Sequence, residues 1–308
     1  MAGSQETLLA QLDTLISEGR NPATLHIDEG TALDIVRMIN REDHLVAPAI
    51  EKILPDIAKA VDCIVDGLSR KGRLFYIGAG TSGRLGILDA VECRPTFSVE
   101  DTLVNGIIAG GERAITHAVE GAEDDDMQGQ KDLDGHAITR HDVIVGLSAS
   151  GRTPYVCGAL RKARERGCIT IGIACTPKSP VLTFSDIALC PVVGPEALTG
   201  STRMKSGTAQ KLILNMLSTA SMIRLGKTYQ NLMVDVNASN EKLRARAIRI
   251  VMQATGCEAP TAKQALSDAG QNTKVAILII LCDVDAATAR RMLENSDGFL
   301  RRAVQEQS

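Results

Sequence analysis

The sequence predicts a doubly wound α/β fold: a five-stranded parallel sheet, with helices ahead of it and a small helical bundle behind it. Three observations carry this. Five short segments are β-branched or wholly apolar, as strands covered on both faces must be. Helical stretches separate most of them, the alternation that builds a parallel sheet. At 308 residues the chain also exceeds the length at which one core usually stops growing, so a second, smaller unit is expected.

The elements follow in order. "MAGSQETLLAQLDTLISEGR" reads as a polar amphipathic helix with neither the cationic start nor the apolar centre of a signal peptide. "TALDIVRMINREDHLVAPAIEKILPDIAKAVDCIVDGLSRKG" repeats apolar residues at i, i+3, i+4 spacing and is expected to end at Gly72 as its C-cap. The strands are expected at "RLFYIG" (73–78), "LVNGIIAG" (103–110), "DVIVGLSAS" (142–150), "ITIGIAC" (169–175) and "DIALCPV" (186–192). Helices are expected at 82–93, 112–133 and 153–167, then at "TAQKLILNMLSTASMIRLG" (208–226), which is apolar on most sides and therefore buried. Four or five short helices should follow from about residue 239, broken at "GCEAP", where Pro260 suits position N1, and at "NSDG". The domains are then a helical segment over 1–55, a ligand-binding domain over 56–230 and a bundle over 239–308.

Composition excludes several roles. A net charge of −3, with three Tyr, four Phe and no Trp, supplies neither the basic surface nor the stacking platforms of a nucleic-acid binder. Eight cysteines without a CxxC pair, mostly in apolar runs, read as reduced core thiols of a cytoplasmic protein. The longest apolar run, Val275 to Cys282, is too short to span a bilayer, so no membrane partner is expected. His26, His44, His117, His136 and His141 have no metal-ligand spacing, which argues against zinc.

Three loops at the carboxyl edge of the sheet share one composition. They are Gly80-Thr81-Ser82-Gly83, then "SASGRT" with Ser148, Ser150, Gly151, Arg152 and Thr153, and then "TGSTRMKSGT" with Ser201 and Thr202. Each offers small residues, hydroxyls and a following helix N-terminus, a combination suited to an anion. Gly78, Gly80 and Gly83 match the GxGxxG of dinucleotide folds, but the acidic residue that should follow by about 20 positions is missing. Glu112 lies too far on, behind a double glycine. One phosphate and a ring of sugar hydroxyls fit the loops better than NAD.

The hydroxyl loops resemble the sugar isomerase (SIS) domain, a five-stranded parallel fold that binds phosphosugars. Over the full chain, "GAGTSGRLGILDAVEC", "AVEGAED", "ASGRTPYV", "TGSTRMKSGTAQKL" and "NLMVDV" are similar to the N-acetylmuramic acid 6-phosphate etherase family. The resemblance implies a homodimeric lyase of bacterial cell-wall recycling, working without metal or organic cofactor. It implies a C-terminal bundle like a ubiquitin-associated domain. Its reaction would convert N-acetylmuramate 6-phosphate and water to N-acetylglucosamine 6-phosphate and D-lactate. The family's catalytic glutamates carry over to Glu92, as proton donor to the departing lactate and later base for water, and to Glu123, for the C2 proton. Glu196 is a further candidate for sugar contact, and His117 could reach the site.

The chemistry needs such a pair. Once the ring opens, the C2 proton is α to an aldehyde and the C3 ether oxygen is β to it, so base and acid can eliminate lactate before water adds back. Pro95 should stop the Glu92 helix near Arg94, leaving Glu92 in a last turn where the helix dipole disfavours its charge unless Arg94 offsets it. Ten helical residues from Ser82 to Glu92 span about 15 Å, longer than one hexose phosphate bridges. Glu92 is therefore expected to act on sugar held by a neighbouring subunit. Two other readings stay open: a phosphosugar-sensing regulator similar to the glucokinase regulator, and an aldose–ketose phosphosugar isomerase.

Overall fold

The computed structural model describes residues 18–235 and 241–306. Most of the N-terminal helix expected over the first 20 residues, the last residue of "NLMVDV" and the start of the expected bundle at 239 lie outside them. The described chain divides into two compact units. One runs up to Val91 and takes in Thr102–Ser218; the other joins Glu92–Asp101 to the chain from Thr219 onward.

In the first unit, α1 (Ala32–Asp43), α2 (Val46–Glu51) and α3 (Leu54–Ser69) precede the sheet. A capping box starts α1: Thr31 and Asp34 each satisfy the other's backbone N–H. The end of α3 differs from expectation. Lys71, not Gly72, takes the left-handed conformation, at φ +64°. Gly72 is required for another reason, since a Cβ there would sit 1.9 Å from the His141 carbonyl oxygen.

The sheet consists of β1 (Leu74–Gly78), β2 (Val104–Ile108), β3 (Val143–Leu147), β4 (Ile169–Ile173) and β5 (Ile187–Leu189), all parallel in the order β2-β1-β3-β4-β5. β1 and β3 are buried along their whole length, as their unbroken apolar runs require. Between them run α4 (Gly80–Phe97), α5 (Asp126–Gly135) and α6 (Pro154–Glu165). Phe75, Ile77, Ile144, Tyr155, Val156, Leu160 and Leu133 form the core on one face of this sheet.

The single helix expected over 112–133 is instead three pieces: a turn at Arg113–Thr116, a short 3-10 turn at Ala122–Asp124, and α5. Gly121 holds positive φ, which a continuing helix cannot accept, and the first piece has already ended four residues earlier, where the backbone turns extended. His117 is consequently an extended residue beyond a helical turn, not part of a helix.

The long helix α7 spans Lys205–Arg224, with Ile213, Leu214, Leu217 and Met222 wholly buried. In the second unit, β6 (Thr228–Tyr229) and β7 (Leu232–Met233) form a two-stranded ribbon. Five helices follow: α8 (Glu241–Thr255), α9 (Ala259–Asp268), α10 (Thr273–Cys282), α11 (Ala286–Asn295) and α12 (Leu300–Gln305). Ala259 precedes Pro260 in α9, so the proline stands one place later than expected. The bundle has its own core, centred on Val251, Leu266, Ile277, Leu278 and Leu300. Among the described residues, no helix is long and apolar enough to cross a membrane.

Candidate active site

The strand order locates the site. The chain leaves β1 towards β2 on one side and reaches β3 on the other, which makes the β1/β3 carboxyl edge a topological switch point. Open α/β sheets bind their ligands in that crevice. Gly78 and Leu147 are register partners at the ends of the two strands, so the first and second hydroxyl loops emerge side by side.

The glycines of the first loop are structural. Gly80 holds φ +51° with open space around it, and so makes the turn. A Cβ on Gly78 would meet the Gly83 nitrogen at 2.7 Å, and one on Gly83 would meet Ile108 Cγ1 at 2.6 Å. These two let α4 start directly against the strand ends. Gly83 N–H is the first to reach a helical carbonyl, that of Ala79 at 3.2 Å, which leaves the preceding amides of the turn open to an anion. Thr81 is half-buried beside them. Ser82 is buried and donates to Gln210 Oε1 at 2.9 Å, tying the loop to α7.

The second loop is a knot of hydroxyls. Ser148 Oγ lies 2.8 Å from Thr153 Oγ1 and 3.4 Å from Ser150 Oγ, and accepts from Gly151 N–H at 3.0 Å. Ser150 Oγ in turn accepts from Arg152 N–H at 3.3 Å. Gly151 sits at φ +69°, and a side chain there would strike Ser179.

At the third loop the helix already has its anion. Glu196, wholly buried, accepts from Lys205 N–H at 2.8 Å and from Ser206 N–H and Oγ at 2.9 and 2.8 Å. It satisfies two of the orphan amides of α7, where a negative charge is favoured. Ser201 and Thr202 are half-buried in the turns just before it. Beneath lies a second buried acid. Lys205 Nζ donates to Glu42 Oε2 at 2.6 Å, and Asn21 donates to the same oxygen at 2.6 Å. Burial alone would raise the Glu42 carboxyl, but the hydrogen bonds from Lys205 and Asn21 and the lysine charge outweigh it and hold the group below its ordinary value.

Glu123 lies in the 3-10 turn and is exposed, with no hydrogen-bond or ion-pair partner among the described residues. It lines a small cavity of about 180 Å³ together with Gly80, Ala79, Arg84 and Ala109, so the fold brings it to the first loop. Its acidic neighbours have other tasks. Asp125 caps α5 through Gln128 N–H at 2.9 Å, and Asp126 pairs with Arg161. Arg84, which motif reasoning overlooked although it stands inside "GTSGR", donates to the carbonyls of Ile115 and His117, each at 3.0 Å. It thereby ties the segment leading to Glu123 to the N-terminal part of α4.

Glu92 is exposed and likewise unpartnered among the described residues. The helix carrying it does not stop at Arg94. It runs through Pro95 to Phe97, because buried Phe97 anchors the final turn, and Ser98 closes it at φ +49° with its N–H on the Arg94 carbonyl. Glu92 is thus more than a turn from the helix end, and Arg94 is engaged by Asp101. The helix dipole, which falls off within the last turn, therefore acts only weakly on Glu92. Asp89, one turn earlier, is buried. Burial pushes its carboxyl up, opposed by hydrogen bonds from Tyr76 and Ser218 and by Lys211 at 3.6 Å. Within the second unit, Glu92 lines a cavity of about 870 Å³ with Thr96, Ser98, Glu100, Met233, Leu243 and Arg246.

Residues 56–164 match the N-terminal SIS domain of glucokinase regulatory protein, residues 117–220 the SIS domain, and residues 230–277 the C-terminal lid domain of glucokinase regulatory protein. A phosphoheptose isomerase from Neisseria gonorrhoeae is similar at 18% identity and a TM-score of 0.46, over 61% of this chain and 97% of that one. N-acetylmuramic acid 6-phosphate etherases of Brucella anthropi and Vibrio campbellii are each 58% identical to the chain, over 98% of both sequences. The chain belongs to the N-acetylmuramic acid 6-phosphate etherase family.

Proposed function

We propose that this protein is a cytoplasmic, homodimeric lyase that cleaves the D-lactyl ether of N-acetylmuramate 6-phosphate, giving N-acetylglucosamine 6-phosphate and D-lactate. Residues 56–230 act as the phosphosugar-binding domain, with the helical bundle following it. The observation that carries the reading is a pair of exposed glutamates, unpartnered among the described residues, each lining a cavity, with that of Glu123 shared by the phosphate-loop residue Gly80.

The open amides of the Gly80–Ser82 turn hold the 6-phosphate, with Thr81 beside them. Ser148, Ser150, Gly151, Arg152 and Thr153 line the sugar, with Ser201 and Thr202 at its edge. Glu196 acts from beneath, shaping the third loop. With the ring open, Glu123 takes the C2 proton. Electrons then move to the C2–C3 bond as the C3–oxygen bond breaks, and Glu92 gives its proton to the departing lactate oxygen. Glu92, now a carboxylate, draws a proton from water as it adds to C3, and Glu123 gives its proton back to C2. Each acid–base role is worth typically about 10²–10⁴-fold.

The site is shared between two copies. Leu88, Val91 and Glu92 stand at i, i+3 and i+4 on one helix face, and Leu88 and Val91 are 45% and 63% exposed. An apolar strip of this kind suits a partner subunit. Glu92 then serves sugar held by the partner's loops.

Release of D-lactate from N-acetylmuramate 6-phosphate tests the activity; folded enzyme that yields none refutes it. Co-expression of Glu92→Gln and Glu123→Gln chains tests the sharing. Random pairing of copies restores about a quarter of the sites if each site draws one glutamate from each chain. Mixed dimers as inactive as either parent would place both glutamates in one chain.

A further inference from the structure

The substrate of the proposed reaction carries two anions, and the loops account for one. Besides the phosphate there is the lactyl carboxylate, whose carbon is bonded to the same atom as the ether oxygen. Whichever group protonates that oxygen must therefore share its pocket with the carboxylate. The Glu92 cavity offers such a ligand little positive charge: Glu92 and Glu100 are carboxylic acids, and Arg94 is engaged by Asp101. One cation remains. Arg246 lines this cavity, is exposed, and has no hydrogen-bond or ion-pair partner among the described residues. Its helix is firmly seated, since Ala247, Ile250 and Val251 are buried in the bundle core. The guanidinium is thus presented from a rigid element. Met233 and Leu243 give the same cavity an apolar wall.

We propose that Arg246 binds the lactyl carboxylate of the substrate, with Met233 and Leu243 receiving the lactyl methyl group, and so selects the acid ether for cleavage. A planar guanidinium meets a carboxylate through two parallel hydrogen bonds, which a lysine cannot reproduce. The assignment rests on the etherase reading, and the experiment separates the two.

Wild type, Arg246→Ala and Arg246→Lys are compared for D-lactate release from N-acetylmuramate 6-phosphate and for inhibition by N-acetylglucosamine 6-phosphate, which has the phosphate but no lactyl group. Circular dichroism and thermal melting establish that the variants fold. For Arg246→Ala, kcat/KM should fall about 10- to 100-fold, the loss of a charged hydrogen-bonded pair. Arg246→Lys should recover part of it, and the inhibition constant should stay within about twofold of wild type. An equal loss of inhibitor affinity would assign Arg246 to the phosphate or the sugar and overturn the proposal, as would undiminished kcat/KM in the alanine variant. Wild type that releases no lactate would instead refute the etherase reading.

Discussion

At Cys175, burial pushes the thiol up to about 12, against a hydrogen bond with Ser206; burial likewise takes Cys157 and Cys168 to about 11. At neutral pH these side chains carry almost no thiolate, the form that reacts. Iodoacetamide at pH 7.5 should therefore leave these three unmodified in the folded protein, while the urea-unfolded chain takes up label at all eight cysteines. Mass spectrometry of the native sample reads the result, and early label on Cys175 would contradict it. Residue-scale chemistry was partly legible in the sequence. Apolar flanks identified the core thiols, although Cys63, Cys190, Cys257 and Cys282 are only half-buried. Glu196 was less legible, because its three hydrogen bonds depend on a turn that brings it back over residues nine and ten positions later.

At the scale of elements, the start of α7 depends on the Glu42–Lys205 pair. It joins α1 to the third loop across 163 residues. Removing one partner strands the other charge in the interior, a loss of about 3–5 kcal/mol. Lys205→Ala should thus melt well below wild type. The pH dependence has a definite sign. Glu42 is held below its ordinary value in the fold, so the unfolded chain protonates first as pH falls. The stabilisation is complete above the ordinary glutamate value of 4.5 and is lost as pH drops below it towards the depressed folded value. Glu42→Gln should be less stable at neutral pH and should show a flatter decline below about pH 4.5. Denaturant midpoints from pH 3 to 7 check both, and an unchanged slope would exclude Glu42 as the titrating group. The strands and the long helix were legible from their apolar runs. The breaks within 112–133 were not, because helix periodicity continues through His117, which is extended, and through Gly121, which holds positive φ.

At the scale of the molecule, the decisive fact is the β2-β1-β3-β4-β5 order, which no local pattern specifies. Long-range packing sets it, and it alone sets the first and second loops side by side. Composition already favoured a sugar phosphate over a dinucleotide, and the structure supplies the reason for the misleading motif: Gly78 and Gly83 serve strand–helix packing. Saturating N-acetylglucosamine 6-phosphate should accordingly raise the melting temperature, by roughly 5 °C at a hundred times its Kd. NAD at the same excess should leave it unchanged, and a shift with NAD would reopen the dinucleotide reading. Arg84 carries a last consequence. Its guanidinium holds the carbonyls of Ile115 and His117 while its backbone follows directly on the first turn of α4. An anion that stiffens that turn also narrows the motion of the chain leading to Glu123, and by reciprocity an ordered Glu123 segment tightens the anion site. On the proposed reading, phosphate capture at that turn and the aiming of Glu123 would be thermodynamically coupled, and the phosphate would help to trigger chemistry at the far end of the sugar.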